Sequence, residues 1–303
     1  MTPSSPVVFF GNEQLCTGLE SEQTPLFDSL VDAGYTIAAV VVRPDKPRGR
    51  SKTPVASLIK TKALALGIPV LQPTKLIDFL PELNKYSGSI GVLASYGRLV
   101  PAEIIEWFEP RGIVNIHPSL LPRYRGSSPI ESTLVARDTE TGVSLMRLSE
   151  GMDEGDLFAQ KAVALPPDIT KQAAYELLAK TGADLLLTHL PDIMAGTLSA
   201  KPQSKDEVTY TTMLRKQDGV LDPSTDTAAE LEAKVRAYAG FPKSRLTING
   251  IDVIITSASI VDHATTAGLV VSCKDNTYLQ INELIAPSGK KMNAEAFIRG
   301  YRK

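Results

Sequence analysis

Two polar side chains, Asn115 and His117, stand two residues apart at the end of a short apolar run that Pro118 closes. In an extended strand, residues i and i+2 point to the same face, so the amide and the imidazole project together while Val114 and Ile116 enter the core. Such a pair offers hydrogen-bond donors and a group that can move a proton. A strand that carries polar groups to a sheet edge and then opens into a loop is typical of ligand sites in open α/β sheets. This spacing alone is compatible with many enzymes.

A carboxylate that could join this pair lies downstream, in an acidic and glycine-rich segment at residues 150–156. Gly151 and Gly155 leave Asp153 without bulky neighbours in the chain. On its own, this pattern is more typical of a turn aspartate than of a catalytic one. No metal site is predicted, because His189 and His263 are isolated and have no ligand spacing with His117.

The elements that must position these groups alternate between short apolar strands and helices. A strand ending at Gly11, a helix over 25–34 and a strand over 35–42 form a β-α-β unit, and a central strand from 89 runs into a turn at Gly97. A helix over 169–189 is predicted to continue over 190–196 after a break at Pro191. We therefore predict an α/β fold with a Rossmann-like, doubly wound and mostly parallel sheet. The absence of a G-x-G-x-x-G motif argues against a nicotinamide or flavin role.

The pattern changes near Lys201, where the sequence becomes polar and loses its periodicity. Beyond it, an amphipathic helix over 228–238 is followed by short alternating runs at 244–249, 252–257, 267–273 and 277–283. Such runs are typical of a small β-barrel, the oligonucleotide-binding (OB) type among others. We predict a catalytic domain at 1–200, a linker at 201–208 and a C-terminal OB-like domain at 209–303.

A basic loop at residues 43–54 holds five cations and one acid among three prolines. Two interpretations stay open at this point. Charge runs are common on solvated surfaces, but arginine and lysine on a flexible backbone can also follow a sugar-phosphate contour and become ordered on contact. The five cations are Arg43, Lys46, Arg48, Arg50 and Lys52.

Composition favours an ordinary globular protein. Of 303 residues, 43% are hydrophobic and 22% are charged, and the net charge of −2 argues against binding nucleic acid by bulk charge while leaving room for a local basic patch. Cys16 and Cys273 lie far apart, as expected of thiols in a reducing compartment. No run approaches the ~20 apolar residues that span a bilayer. We expect a cytoplasmic protein without a membrane segment.

Two motifs carry a family resemblance: Asn115-Ile116-His117-Pro118-Ser119-Leu120-Leu121-Pro122 and Gly151-Met152-Asp153-Glu154-Gly155-Asp156. They resemble those of the folate-dependent formyltransferases. Within that family the chain is similar nearly end to end to the members that act on a charged tRNA. The matching segments include residues 123–126, 139–143, 218–219, 289–292 and 299–302.

The resemblance implies that a formyl group moves from 10-formyltetrahydrofolate to the α-amino group of methionine esterified to initiator tRNA. It implies that Asn115, His117 and Asp153 are the catalytic residues. Asn115 and the His117 ring would donate to the tetrahedral oxyanion, and Asp153 would orient the imidazole and accept a proton. No metal is implied.

Binding residues follow from the same resemblance. The folate pocket would be formed by Leu93, Ala94, Tyr96, Gly97, Ser119, Leu120, Leu121 and Pro122. The tRNA would be bound by Arg43, Lys46, Arg48, Arg50 and Lys52, together with Lys290 and Lys291 on the C-terminal domain. The partners are then methionyl initiator tRNA and the small-molecule folate, and we expect a monomer.

The chain departs from the family pattern at two places, and other functions compete with this interpretation. The loop at 12–24 is longer than is usual in the family, and Glu131 would place an extra carboxylate near the substrate. An amino-sugar nucleotide N-formyltransferase would share the catalytic trio and the folate pocket, but would have less use for the basic loop. A non-catalytic tRNA-binding paralogue would need none of Asn115, His117 and Asp153.

Overall fold

The protein is seen here as a computed structural model that describes residues 5–12, 23–47, 53–263 and 268–301. Strands within these ranges are β1 (Val7–Gly11), β2 (Ile37–Val41), β3 (Lys46–Pro47), β4 (Pro54–Val55), β5 (Val70–Leu71), β6 (Ile90–Ala94), β7 (Ile113–His117), β8 (Arg125–Gly126), β9 (Glu140–Arg147), β10 (Leu157–Ala164), β11 (Tyr210–Thr211), β12 (Ser244–Ile248), β13 (Ile251–Val261), β14 (Leu269–Cys273), β15 (Thr277–Ile285) and β16 (Lys291–Asn293).

The α-helices in the same ranges are α1 (Pro25–Asp32), α2 (Leu58–Ala65), α3 (Leu80–Leu83), α4 (Ala102–Trp107), α5 (Pro129–Ala136), α6 (Lys171–Ala195), α7 (Ala228–Ala237) and α8 (Ala294–Gly300). Side-chain N-caps stabilise the first turn of several of these helices. At the start of α6, for example, the Thr170 hydroxyl accepts the Ala173 N–H.

A seven-stranded sheet in the order β10-β9-β7-β6-β1-β2-β5 forms the first part of the molecule. The strands from β7 to β5 pair in parallel, and β9 and β10 add an antiparallel edge. β1, β6 and β7 are buried at every residue, as expected of parallel strands covered on both faces. The predicted α/β fold with a mostly parallel sheet is confirmed.

Alternation along the strands divides the core between the two faces of this sheet. Val7 and Phe9 pack in one cluster with α1 and α6, whereas Val8 and Phe10 pack in the other with α4 and the turns around α3. Gly11 ends β1 directly against the neighbouring strand, where a Cβ atom would come within 1.9 Å of the Ala94 carbonyl oxygen. β1 and β6 can therefore end side by side at the edge that carries the site.

A second, antiparallel sheet in the order β12-β13-β15-β14, with β16 on β15, forms the C-terminal part. α7 packs on it through Leu231 and Val235, which join a separate apolar core with Leu246, Ile255 and Leu279. The prediction of a helix followed by a small β domain in this region is confirmed.

The predicted break at Pro191 is wrong. α6 continues to Ala195 and ends at Gly196, whose φ of 71° is left-handed. Proline removes one backbone bond from a helix. Leu190 and Ile193, on either side of Pro191, are both buried in the core, and this packing keeps the last turn helical.

Candidate active site

β7 brings Asn115 and His117 to the carboxyl edge of the sheet. The strand lies between β6 and β9, with Asn115 opposite Leu93 on one side and Met146 on the other. Both polar residues are buried, at 6% and 5% exposure. The alternation predicted from the sequence therefore places an amide and an imidazole on one face.

Asp153 reaches the same point from the loop between β9 and β10. One carboxylate oxygen, Oδ2, accepts the Gly126 N–H at 2.8 Å and lies 3.7 Å from His117 Nδ1, and Oδ1 accepts from Asn115 Nδ2 at 3.4 Å. The loop turns closely on the end of β9, since a Cβ atom on Gly155 would come within 1.8 Å of the Arg147 carbonyl oxygen. The three residues that the sequence predicts as catalytic thus lie together.

The other ring nitrogen of His117, Nε2, lies 2.9 Å from the Tyr124 carbonyl oxygen. A carbonyl oxygen only accepts hydrogen bonds, so Nε2 carries the proton of this bond. Nδ1 is left beside the Asp153 carboxylate, where it bears a proton only when the ring is an imidazolium. Nδ1 is therefore the ring nitrogen that faces the carboxylate, at an ion-pair distance of 3.7 Å from Oδ2.

A cavity of about 350 Å³ opens next to this trio. Of the residues predicted to bind folate, Leu93, Tyr96 and Gly97 line it together with Asn115, His117 and Asp153. Further lining comes from Leu99, Pro118, Ser127, Leu148, Met152 and Met213, among others. Three of these apolar side chains remain exposed at the mouth: Leu99 (77%), Met152 (50%) and Met213 (74%).

The other residues predicted to bind folate do not line this cavity. Ala94 is fully buried, and residues 119–122 form a turn against β9 and β10. The Ser144 hydroxyl donates to the Ser119 carbonyl at 2.6 Å and accepts the Leu121 N–H, and Gln160 Nε2 donates to the Leu121 carbonyl. This buried network fixes the path of the chain between His117 and Tyr124, and a folate contact of Ser119, Leu120, Leu121 and Pro122 stays a prediction.

Sequence reasoning missed several groups that support the trio. The contact of His117 with the Tyr124 carbonyl could not be predicted, because a backbone carbonyl is present whatever the side chain. Gln203 lies in the predicted linker and Thr209 directly follows it, and they reach the loops of Asp153 and Tyr124, respectively. Met213 offered one usable signal, because Met213 and Leu214 form a short apolar pair in a polar segment.

Only part of the basic loop lies within the described residues. Arg43 and Lys46 are exposed, and the Arg43 guanidinium lies next to Gly97 at the cavity. β3 and β4 pair as the base of the loop, whereas Arg48, Arg50 and Lys52 lie outside the described residues. On the C-terminal domain Lys290 and Lys291 are exposed, with Lys291 paired to Glu283 at 2.8 Å.

Glu131 does not bring a charge to the cavity, so that expectation is wrong. Its carboxylate is 1% exposed and lies 3.0 Å from Nζ of Lys171, which is fully buried. Lys171 also donates to the carbonyls of Ala239 and Phe241 at the turn after α7. The pair joins α5 and α6 to the C-terminal part, where its charges are compensated.

Two tyrosines near the site are held neutral. Burial raises the pKa of Tyr96, and burial with the hydrogen bond to Asp138 raises the pKa of Tyr124 to about 12. Burial likewise raises the pKa of the Cys273 thiol, while Cys16 lies outside the described residues. In the described part of the chain, no group of three or more His, Cys, Asp or Glu residues could hold a metal ion. No described helix is long and apolar enough to cross a membrane.

Sequence comparison relates both parts of the chain to known proteins. Residues 14–190 match the family described as formyl transferase, and residues 213–302 match its C-terminal domain. A methionyl-tRNA formyltransferase of Lachnospira eligens is 36% identical over 97% of this chain and 96% of its own length. That of Myxococcus xanthus is 37% identical over 88% of each chain.

Solved structures share the fold at lower identity. An N-formyltransferase from Helicobacter canadensis, in complex with folinic acid and dTDP-3-aminofucose, superposes with a TM-score of 0.67 at 17% identity, covering 93% of this chain and 99% of its own. HypX from Aquifex aeolicus, in complex with tetrahydrofolic acid, gives a TM-score of 0.67 at 15% identity and covers 97% of this chain and 46% of its own.

Proposed function

This chain belongs to the formyl transferase family, and from that membership we propose that it transfers the formyl group of 10-formyltetrahydrofolate to the α-amino group of methionyl initiator tRNA. The observation that carries this function is the meeting of Asn115, His117 and Asp153 beside a cavity at the sheet edge. The choice of acceptor rests on the full-length relatives, which are named methionyl-tRNA formyltransferases.

The reaction needs two things from the protein. When the amine nitrogen bonds to the formyl carbon, charge develops on the formyl oxygen and must meet hydrogen-bond donors. One proton must also leave the amine, and one must reach N10 of the folate when the bond from N10 to the formyl carbon breaks. The amine proton taken up by the protein balances the proton delivered to N10.

Asn115 is the oxyanion donor in this proposal. Its amide bond to Asp153 is long, at 3.4 Å, so Nδ2 can turn to a stronger acceptor at little cost. The residue is buried, and a donor in such a site stabilises developing charge more than it would in water.

His117 and Asp153 hold the mobile proton. The Nε2–H is committed to the Tyr124 carbonyl, so exchange takes place at Nδ1 and the carboxylate. The pair accepts the proton of the attacking amine and returns it to N10. The imidazolium formed in between lies 3.7 Å from the Asp153 carboxylate, which stabilises its charge.

The folate and the tRNA are assigned to different surfaces. The cavity volume lies within the range of small-molecule sites, and the backbone of Leu93, Tyr96 and Gly97 at its wall suits a planar pterin ring. Arg43 and Lys46, with Arg48, Arg50 and Lys52 and with Lys290 and Lys291, are proposed to contact phosphates. We divide the chain into a catalytic domain at 1–200, a linker at 201–208 and a tRNA-binding domain at 209–303, and infer a cytoplasmic monomer.

The acceptor is tested by comparing kcat/KM for charged methionyl initiator tRNA with that for dTDP-linked amino sugars, using 10-formyltetrahydrofolate as donor. We expect formylmethionyl ester and no formylated sugar. A higher kcat/KM for an amino-sugar nucleotide would replace the proposal by an amino-sugar nucleotide N-formyltransferase. Transfer to neither acceptor, with tRNA still bound, would favour a non-catalytic tRNA-binding protein.

A further inference from the structure

The hydrogen bond that fixes the His117 ring depends on a strained residue. Tyr124 presents its carbonyl oxygen to His117 Nε2 at 2.9 Å while its own φ is 58°. A non-glycine residue in this left-handed region is strained and persists only where surrounding contacts hold it. The contacts that hold Tyr124 in this conformation therefore influence which ring nitrogen of His117 carries the proton.

Thr209 supplies these contacts from 85 residues further along the chain. Its hydroxyl accepts the Tyr124 N–H at 2.7 Å, its carbonyl accepts the Arg125 N–H at 2.9 Å, and its own N–H donates to the Pro122 carbonyl at 3.3 Å. Beyond this point β11 continues in parallel along β8. One threonine thus ties the residues before, at and after the left-handed position.

Gln203 makes the corresponding connection to the Asp153 loop. Its Nε2 donates to the carbonyls of Asp153 and Gly155, both at 2.8 Å, and its Oε1 accepts from Arg125 Nη2 at 2.7 Å and Nε at 3.1 Å. Asp153 is also left-handed, with φ of 52°. The nitrogen and the oxygen of the Gln203 amide therefore connect the loop that carries Asp153 to the loop that carries the Tyr124 carbonyl.

We propose that Thr209 and Gln203 are positioning residues of the formyl transfer, which hold the Tyr124 carbonyl on Nε2 and Asp153 beside Nδ1. They keep the neutral ring in its Nε2–H tautomer and leave Nδ1 as the nitrogen that exchanges a proton. This inference rests on the proposed function for its kinetic consequence alone. The tautomer follows from the geometry and is measurable without turnover.

The test uses the full-length protein with ¹⁵N-labelled histidine, in which only three histidines give ring signals. Variants His189→Gln and His263→Gln assign the His117 resonances. In the wild type at neutral ring charge we expect Nε2 protonated and Nδ1 unprotonated. In Thr209→Val we expect a mixture of tautomers and a kcat lower by roughly fivefold or more, the loss expected for one hydrogen bond. Thr209→Ser keeps the hydroxyl and should show the wild-type tautomer and kcat.

Thr212→Val is the matched control. Thr212 is exposed three residues further on, and its carbonyl, not its hydroxyl, accepts the Ser128 hydroxyl. It should retain the wild-type tautomer and rate. Circular dichroism checks that each variant is folded, and Thr209→Ala replaces the valine variant if that one is not.

Three outcomes would separate the claims. An unchanged tautomer and rate in the Thr209 variant, or a reduced rate with the tautomer unchanged, would overturn the positioning role. A wild type that shows the Nε2–H tautomer but transfers no formyl group would overturn the proposed function and support the positioning geometry.

Discussion

Asp153→Asn tests whether the Asp153 carboxylate acts in proton transfer or only supports the structure of the site. The carboxamide keeps the size of the side chain and can still accept the Gly126 N–H through its oxygen. It cannot accept a proton from the His117 side, and it removes the negative charge 3.7 Å from Nδ1. The His117 ring stays fixed through its 2.9 Å bond to Tyr124. The loss therefore falls on proton transfer rather than on ring orientation.

A positioned general base contributes about 10²- to 10⁴-fold. Since ring orientation is retained, we expect the lower part of this range, a kcat about 10²- to 10³-fold below wild type, or about 3 to 4 kcal/mol of activation free energy. The KM and Kd for tRNA should change little, because phosphate contacts lie elsewhere. Single-turnover formylation separates kcat from binding.

Asp156→Asn is the control for this experiment. It makes the same change of charge three residues on in the same loop, where the side chain is exposed and the backbone carbonyl, not the carboxylate, accepts the Arg147 N–H. It should behave as wild type. A kcat for Asp153→Asn equal to that of the control would refute the role given to the carboxylate.

Three further predictions concern other parts of the site. Asn115→Ala should lower kcat by about 10²- to 10³-fold, as the loss of an oxyanion donor does, and an unchanged steady-state kcat would argue against that role. The double variant Arg43→Ala/Lys46→Ala should bind tRNA more weakly, and the slope of the logarithm of the binding constant against the logarithm of salt concentration should fall by about one per lost phosphate contact. Filter binding at several salt concentrations measures this slope, and an unaltered slope would show that neither residue contacts the RNA. Because the pKa of Tyr124 is raised to about 12 in the folded state from an ordinary value of 10, the folded protein binds more protons between these values, and stability should fall as pH rises from 10 to 12. Urea unfolding of Tyr124→Phe should show a smaller fall, and equal pH dependence in both proteins would contradict this linkage.

The sequence predicts the parts of the site that depend on local periodicity. Alternation in β7 requires Asn115 and His117 to share a face, and the apolar runs predict the parallel sheet that carries them. The glycines around Asp153 indicate a tight loop, but the distance of that loop from His117 comes only from the pairing of β7 with β9. Local pattern therefore predicts which groups are delivered to the sheet edge and leaves their separation open.

Contacts between distant segments account for what the sequence could not predict. Gln203 lies in the predicted linker and Thr209 directly follows it, and neither position indicates the bonds that these residues make to loops 50 and 85 residues away. The sequence predicts Glu131 near the substrate and does not indicate Lys171 as its partner, but the two charges compensate each other inside the junction of α5, α6 and the turn after α7. Pro191 reads as a helix break, yet the burial of Leu190 and Ile193 outweighs the lost backbone bond.

The central claim is that formyl transfer to methionyl initiator tRNA takes place at the end of β7. Single-turnover transfer from labelled 10-formyltetrahydrofolate, measured with wild type and His117→Asn at saturating charged tRNA, tests it most directly. We predict labelled formylmethionyl ester with the wild type and a rate at least about 10²-fold lower with the variant at unchanged tRNA affinity. Equal rates in the two proteins would contradict the claim.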